Sequence, residues 1–439
     1  MRMFQLALLA LALGVPVPAL AQTPGDCDRL AGYPMNPRQP GFPAAARILN
    51  AGAAVAACEA ARASDPDPFL AFLLARAIEA QDAQDPRLQE LIAEGAAASA
   101  PFAASRLGLL YINGHGGLAQ DPARGRALFA ESCAALPDRH ALAGCNNLAA
   151  AMTAPEERAE ADALFQRACE AGFGVACSNL AQHIEAGTAP GAETLDPLAL
   201  RQRGCEGNDP QACLHAGYAM TIAEPPQNDA AIRHFTRACD LGEPDGCYRL
   251  GVVLLERGDA PRDWHGALQA FDRGCAGGNG DTDPCYEYAL GLAYGDDAGG
   301  IVPEASGQTE ALALFDQLCT RGHAPSCTDT GYLYGQGLGT AVDAARGAAL
   351  SARACTLGSG MGCNNLAVHL ATGDGVARSA ARAARYYERS CTMGTGLACL
   401  NLADMLTSGE LGDPQPNRAR ALYRKACDLG EAEACAQTE

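Results

Sequence analysis

A recurring stripe of apolar residues predicts paired helices along most of the chain. In successive units, small or apolar residues stand three, four and seven positions after a cysteine, as Leu180, Ala181 and Ile184 do after Cys177. This spacing places them on one face of a helix, which we name helix A. After a turn, a second helix, helix B, leads to the next cysteine. An aromatic residue stands four positions before that cysteine in most units, and we expect these residues in the core: Phe129, Phe165, Phe235, Phe271, Phe315, Tyr387 and Tyr423.

The sequence also predicts where the B helices begin and end. Asp121-Pro122 and Asp196-Pro197 combine an N-cap residue with a proline suited to the first helical position. In the other units, we expect caps at Asp229, Asp263, Thr309, Asp343, Ser379 and Asn417. Three residues beyond the first cysteine of each pair stands a residue type that tolerates the left-handed conformation ending a helix: Gly172, Asn208, Gly242, Gly278, Gly322, Gly358, Gly394 and Gly430.

The 20 cysteines set the period of this pattern. From Cys133 onward they come in pairs, mostly 8 residues apart, and the first members recur mostly every 36 residues. One cysteine then lies near the end of helix B and the other at the start of the next helix A, within reach of a disulfide. Zinc cysteines usually stand two to four residues apart, so we expect no metal site. The expected bonds are Cys27–Cys58, Cys133–Cys145, Cys169–Cys177, Cys205–Cys213, Cys239–Cys247, Cys275–Cys285, Cys319–Cys327, Cys355–Cys363, Cys391–Cys399 and Cys427–Cys435.

The N-terminal residues predict export and a separate cap. Residues 1–21 read as a signal peptide cleaved after Ala21, which would deliver the mature chain to the periplasm or the exterior, where disulfides persist. Residues 22–103 are interpreted as an N-terminal cap with a degenerate helical unit, extended at 23–43 and helical at 44–63, 68–81 and 86–98. Residues 104–439 form the repeats, with extra length in the loop at 295–308. No later apolar run is long enough for membrane insertion.

Composition narrows the possible partners. The formal net charge is −19, and Lys425 is the only lysine. Nucleic acid binding relies on clustered Lys and Arg, so this class of partner is excluded.

One stretch resembles a known repeat. Leu107-Gly-Leu-Leu-Tyr111, the turn ending at Gly116 and the helix Asp121 to Phe129 look like a Sel1-like repeat. Gly335-Gln-Gly337 and Gly373-Asp-Gly375 repeat its central turn. With one cysteine pair per repeat and a signal peptide, the chain is similar to the Helicobacter cysteine-rich protein family.

The resemblance implies a fold and two classes of function. The implied fold is an all-α, right-handed α/α superhelical solenoid of 36-residue Sel1-like (TPR-related) repeats, each closed by a disulfide. Some members of the cysteine-rich family bind penicillin-like compounds and hydrolyse them weakly, as a β-lactamase does. Other Sel1-like proteins are adaptors that hold protein partners.

The residues themselves predict no catalytic site. A serine β-lactamase commonly uses Ser-x-x-Lys, but the residue three before Lys425 is Leu422. The eight histidines are scattered along the chain. We therefore expect no cofactor and no catalytic residue, and β-lactamase activity rests on the resemblance alone.

A row of asparagines marks the candidate binding face. The second position after the cysteine of helix A points about 150° from the buried stripe, toward the open side of the predicted solenoid. Amides there suit a peptide backbone, a C-terminal carboxylate or a sugar-peptide. Alternatively, they bridge neighbouring helices or cap their own turn. The row predicts a secreted binding or adaptor protein whose concave groove holds a peptide, a protein or a peptidoglycan fragment. Its asparagines are Asn147, Asn179, Asn365 and Asn401.

Overall fold

The computed structural model describes residues 24–32, 48, 50–189, 194–256, 263–277, 283–295 and 303–437. The predicted signal peptide, most of the stretch at 23–43, Gly278 and part of the long loop at 295–308 lie outside the described residues. Residues 24–31, which the sequence predicted to be extended, form a helix instead, with Pro24 at the first helical position, which proline suits. Within them, helix is the only extended regular structure. The chain divides into two compact units, Met1–Val253 and Leu254–Glu439.

The first unit consists of helix pairs joined by short turns. Its first helices are α1 (Pro24–Ala31), α2 (Ala51–Ser64), α3 (Phe69–Gln81), α4 (Arg87–Gly95), α5 (Ala100–Asn113), α6 (Pro122–Ala134) and α7 (Ala141–Ala150). A short 3₁₀ turn follows at Pro155–Glu157. The next helices are α8 (Arg158–Glu170), α9 (Gly174–Glu185), α10 (Pro197–Glu206), α11 (Pro210–Thr221), α12 (Asn228–Asp240) and α13 (Pro244–Leu255), which contains the boundary between the units.

The second unit repeats the pattern. Its helices are α14 (Trp264–Gly277), α15 (Asp283–Tyr294), α16 (Ala305–Thr320), α17 (Ala324–Gln336), α18 (Ala344–Thr356), α19 (Gly360–Thr372), α20 (Ala380–Thr392), α21 (Gly396–Ser408), α22 (Pro416–Asp428) and α23 (Ala432–Cys435). The A helices α15, α17, α19 and α21 each pack on the B helix that follows, and α17, α19 and α21 contact one another in sequence. Among the described residues, no helix combines the length and apolar character needed to cross a bilayer.

All ten expected disulfides are present, so the cysteine pairing is confirmed. Their Cα–Cα distances lie between 4.4 and 4.8 Å. At each of the seven predicted turn positions among the described residues, the backbone has the left-handed conformation expected for it: φ is 64° at Asn208, 91° at Gly172 and 99° at Gly358. A side chain with a Cβ is strained in this conformation, which explains the repeated glycine.

Five of the predicted caps are confirmed. The carboxylates of Asp121, Asp196 and Asp343 accept backbone N–H groups in the first turns of α6, α10 and α18, and Asp263 and Ser379 do the same for α14 and α20.

Three other caps are wrong because the helices begin earlier than expected. Asp229 and Asn417 lie in the first turns of α12 and α22, which begin after Gln227 and Gln415. Proline suits the first position of α22, which moves its start ahead of Asn417. Thr309 lies one turn inside α16, where its hydroxyl donates to the carbonyl of Ala305.

The predicted aromatic row is buried in the core. Its seven members are all at most 8% exposed. Small residues on the facing A helices make room for the rings. A Cβ added to Gly108 would lie 2.6 Å from the ring of Phe129, and one added to Gly217 would lie 2.5 Å from that of Phe235.

A half-buried ion cluster joins two helices of the first unit. Glu79 on α3 forms an ion pair with Arg106 on α5, and its carboxylate lies 3.0 Å from Nδ1 of His115. Burial opposes ionisation of Glu79, but Arg106 and His115 together outweigh it, so the pKa of Glu79 lies below its usual value.

Candidate ligand-binding face

The four predicted asparagines lie on A helices and are held by asparagine neighbours. In the second unit, Asn401 Nδ2 on α21 donates to Asn364 Oδ1 on α19 over 3.0 Å. Asn364 Nδ2 in turn donates to Asn365 Oδ1 over 3.3 Å. We call this chain of amides the second-unit asparagine ladder. The bridging role that the sequence left open is therefore present.

The first unit contains the same arrangement. Asn179 Nδ2 on α9 donates to Asn146 Oδ1 on α7 over 2.9 Å, and Asn146 Nδ2 donates to Asn147 Oδ1 over 3.2 Å. Here Asn147 Nδ2 also donates to the hydroxyl of Ser105 on α5, over 3.1 Å. The first-unit ladder therefore extends one helix further than the second-unit ladder.

Sequence reasoning missed the inner members of both ladders, Asn146 and Asn364. Asn364 is only 2% exposed, and its hydrogen bonds orient the half-buried amides of Asn365 and Asn401 beside it. The available signal was the doublet Cys-Asn-Asn, followed one repeat later by Cys-x-Asn.

The second-unit ladder leaves hydrogen-bonding groups unused. Within the described part of the chain, Asn365 Nδ2 and Asn401 Oδ1 have no hydrogen-bond partner, and both side chains are half-buried. One N–H donor and one carbonyl acceptor are therefore held on adjacent helices. A peptide group requires this complement of an acceptor and a donor.

An acidic and aromatic patch lies on α15 and α17. Asp329 stands where Asn365 and Asn401 stand in their repeats, and it accepts hydrogen bonds from the hydroxyls of Tyr286 and Tyr294, at 2.9 and 3.0 Å. Burial raises the pKa of Asp329 despite these two donors. The tyrosines thus fix the carboxylate in place.

Beside Asn365 lies a pocket of about 370 Å³ between α17 and α19. Its lining includes Gly331, Tyr332, Ser351, Asn365, Val368 and His369. Tyr332 and Val368 are partly exposed, at 45% and 39%, whereas Ser351 is only 1% exposed. The pocket therefore has an apolar rim and a polar floor.

The buried serine of this pocket lacks the features of a nucleophile. Within the described residues, Ser351 Oγ has no hydrogen-bond partner, so no base is positioned to take its proton. His369, which also lines the pocket, stands six residues after the cysteine of helix A. His183 stands at the same position in its own repeat, and its Nδ1 lies 2.7 Å from the carboxylate of Asp162.

Comparison with known proteins decides the family. The Sel1 repeat model matches residues 101–135, 210–243, 244–271, 285–323, 324–359, 360–395 and 396–431, which together make up more than half of the chain. The chain belongs to the Sel1 repeat family. In this Sel1 repeat protein, helix pairs and disulfides continue through residues 136–209, which the family model does not match.

Two solved structures share the fold. The protective antigen c5321 of uropathogenic Escherichia coli, which displays an SLR fold, is 15% identical with a TM-score of 0.56, over 89% of this chain and 86% of that one. A Sel1 repeat protein from Oxalobacter formigenes is 19% identical with a TM-score of 0.52, over 67% of this chain and 85% of its own. No curated protein matches the sequence.

Proposed function

We propose that this Sel1 repeat protein is a binding protein, and that the A-helix face carrying Asn365 and Asn401 holds an extended segment of a protein partner. The observation that carries the proposal is the unused pair of groups, Asn365 Nδ2 and Asn401 Oδ1, on neighbouring helices. Sel1 repeat proteins generally act as adaptors between proteins, which agrees with a peptide as the ligand.

The ladder favours binding because it prepares the amides in advance. An unrestrained asparagine loses rotamer freedom when it binds a ligand, and that entropy reduces affinity. Here the hydrogen bonds through Asn364 restrict both side chains before a ligand arrives. A segment crossing α19 and α21 would accept from Asn365 and donate to Asn401.

The test compares two variants with the wild type. Peptides selected from a displayed random library against the purified, oxidised protein are titrated against the wild type, Asn365→Ala/Asn401→Ala and Asn364→Ala. Two hydrogen bonds of about 1 kcal/mol each predict roughly 30-fold weaker binding by the double variant. Asn364→Ala is the structural control, since it breaks both ladder bonds but keeps the two outer amides.

The proposal fails if the double variant binds no more weakly than Asn364→Ala. In that case, the amides would serve only to bridge helices. Displacement of the peptides by soluble peptidoglycan fragments would assign the face to a sugar-peptide instead. In the first unit, we propose the same role for Asn147 and Asn179, with less unused capacity because Asn147 also donates to Ser105.

We also propose export, with cleavage after Ala21, and a capping role for residues 22–103. Ten disulfides indicate an oxidising environment, which agrees with export. N-terminal sequencing of the protein from the cell envelope and the medium tests the cleavage site. Weak β-lactam hydrolysis, the alternative from the resemblance, has no supporting contact among the described residues, and we do not advance it.

A further inference from the structure

The pocket beside Asn365 occurs where the aromatic row is interrupted. Four residues before the first cysteine of each pair, two repeats lack an aromatic side chain and have Arg201 and Ser351 instead. Arg201 fills its place with a long side chain, whose Nε donates to Glu185 over 3.0 Å. Ser351 is too short to do so, and the pocket of about 370 Å³ lies against it.

An equivalent position elsewhere in the chain shows what is missing. Phe165 stands where Ser351 does, and His183 stands where His369 does, each six residues after the helix A cysteine. The rings of Phe165 and His183 pack edge to face, with centroids 5.2 Å apart. In the Ser351 repeat, the histidine is retained but its ring partner is absent.

His369 is oriented to receive a ring from outside the chain. Its Nδ1 donates to the carbonyl of Asp374 over 2.9 Å, which fixes the imidazole at the wall of the pocket. Tyr332 and Val368 stand exposed at the rim and would cover the edges of an inserted group. A cavity of about 150 Å³ already admits benzene, so the volume suffices for a six-membered ring.

The floor of the pocket favours a ring with a polar tip. Ser351 Oγ is buried and has no hydrogen-bond partner in the described structure. A buried polar group without a partner is costly, and a ligand that supplies the partner recovers this cost. A ring entering from the rim reaches Ser351 with the atom opposite its attachment point. In a tyrosine side chain, that atom carries the hydroxyl.

We propose that this pocket takes a tyrosine side chain of the bound partner, with its ring against His369 and its hydroxyl hydrogen-bonded to Ser351 Oγ. The partner thus supplies the aromatic ring that most other repeats supply for themselves. This proposal rests on the proposed function, because Asn365 lines the pocket and would bind the backbone of the same segment.

The test uses two small probes and two variants. Binding of N-acetyl-tyrosinamide and N-acetyl-phenylalaninamide to the whole oxidised protein is measured by ligand-observed NMR. We expect the tyrosine probe to bind about fivefold more tightly, as one additional neutral hydrogen bond predicts. Ser351→Ala should remove this preference while both probes still bind.

Ser351→Phe restores the aromatic row and should close the pocket. We expect this variant to lose both probes and to melt at the same or a higher temperature, because its own ring fills the space. If its melting temperature falls instead, the proposal is tested by Ser351→Ala, which should bind the tyrosine and phenylalanine probes equally well. Equal binding of the two probes by the wild type, or an unchanged preference in Ser351→Ala, would overturn the proposal.

These outcomes separate the pocket from the asparagine ladder. The probes should still bind Asn365→Ala/Asn401→Ala, though more weakly, because the ring site remains. Loss of peptide binding in that variant with normal peptide binding in Ser351→Phe would support the ladder and refute the pocket. The reverse result would support the pocket alone.

Discussion

The contact between Gly217 and Phe235 gives a quantitative prediction about the packing of α11 on α12. In Gly217→Ala, the new Cβ would meet three ring carbons of Phe235 at 2.5 to 2.9 Å. The ring is 0% exposed and packs edge to face against Tyr218, so it has no free space to move into. Overpacking of this kind costs about 1–3 kcal/mol.

A matched substitution isolates this cost. Gly335 lies in α17, and a Cβ added there meets nothing within 4 Å. Both changes replace a helical glycine by alanine, which contributes up to about 1 kcal/mol of helix propensity. Gly335→Ala should therefore be neutral or stabilising, and Gly217→Ala should be less stable than it by about 1–3 kcal/mol.

Urea denaturation followed by circular dichroism, with the disulfides intact, measures the overall effect. Hydrogen exchange of the amides in α11 and α12 localises it, because a local loss of packing accelerates exchange there first. A Gly217→Ala variant that is as stable as Gly335→Ala and exchanges no faster would refute the packing argument.

Two further predictions concern crosslinks and pH. On the chain-entropy model, removing the Cys27–Cys58 bond, with its sequence separation of 31, should cost about 3.7 kcal/mol, against about 2.5 kcal/mol for Cys355–Cys363, with a separation of 8. Alanine pairs compared in urea test this, and a larger loss at the shorter loop would contradict the model. The pKa of Glu79 is lower in the folded state than in the unfolded chain, so its stabilisation is present above the unfolded pKa of about 4.3 and is lost as the pH falls through the folded value. The melting temperature of Glu79→Gln should therefore fall less than that of the wild type on acidification below about pH 5, and parallel curves would speak against it.

Sequence alone predicted the features that depend on residues of a single connection between two helices. The pairing of Cys355 with Cys363 and the left-handed Gly358 follow from local chain geometry, and both are confirmed. The three misplaced caps arose because several neighbouring residues can each begin a helix, and the helix began at an earlier one. At Asp229, the carboxylate remains favourable one position inside the helix, because the first turn also attracts negative charge.

The candidate site was harder to predict because its contacts cross repeats. Asn364 bonds a residue 37 positions away, a distance set by the packing of α21 on α19 rather than by local pattern. Ser351 matters to the proposed site because its short side chain leaves open a space that an aromatic ring fills at equivalent positions such as Phe165. This difference is seen only when the repeats are compared in the structure. A repeat sequence predicts the common positions well, whereas the proposed binding site depends on positions that depart from them.

The disulfides lie across the turns between repeats, and this gives the chain a second covalent route past each turn. The Cys355–Cys363 bond connects α18 to α19 directly and encloses Gly358. A protease that cuts within this turn therefore leaves the two helices attached to each other. In surroundings that contain proteases, the polypeptide could be cut at several such turns and still remain one covalently linked molecule, as long as those surroundings stay oxidising.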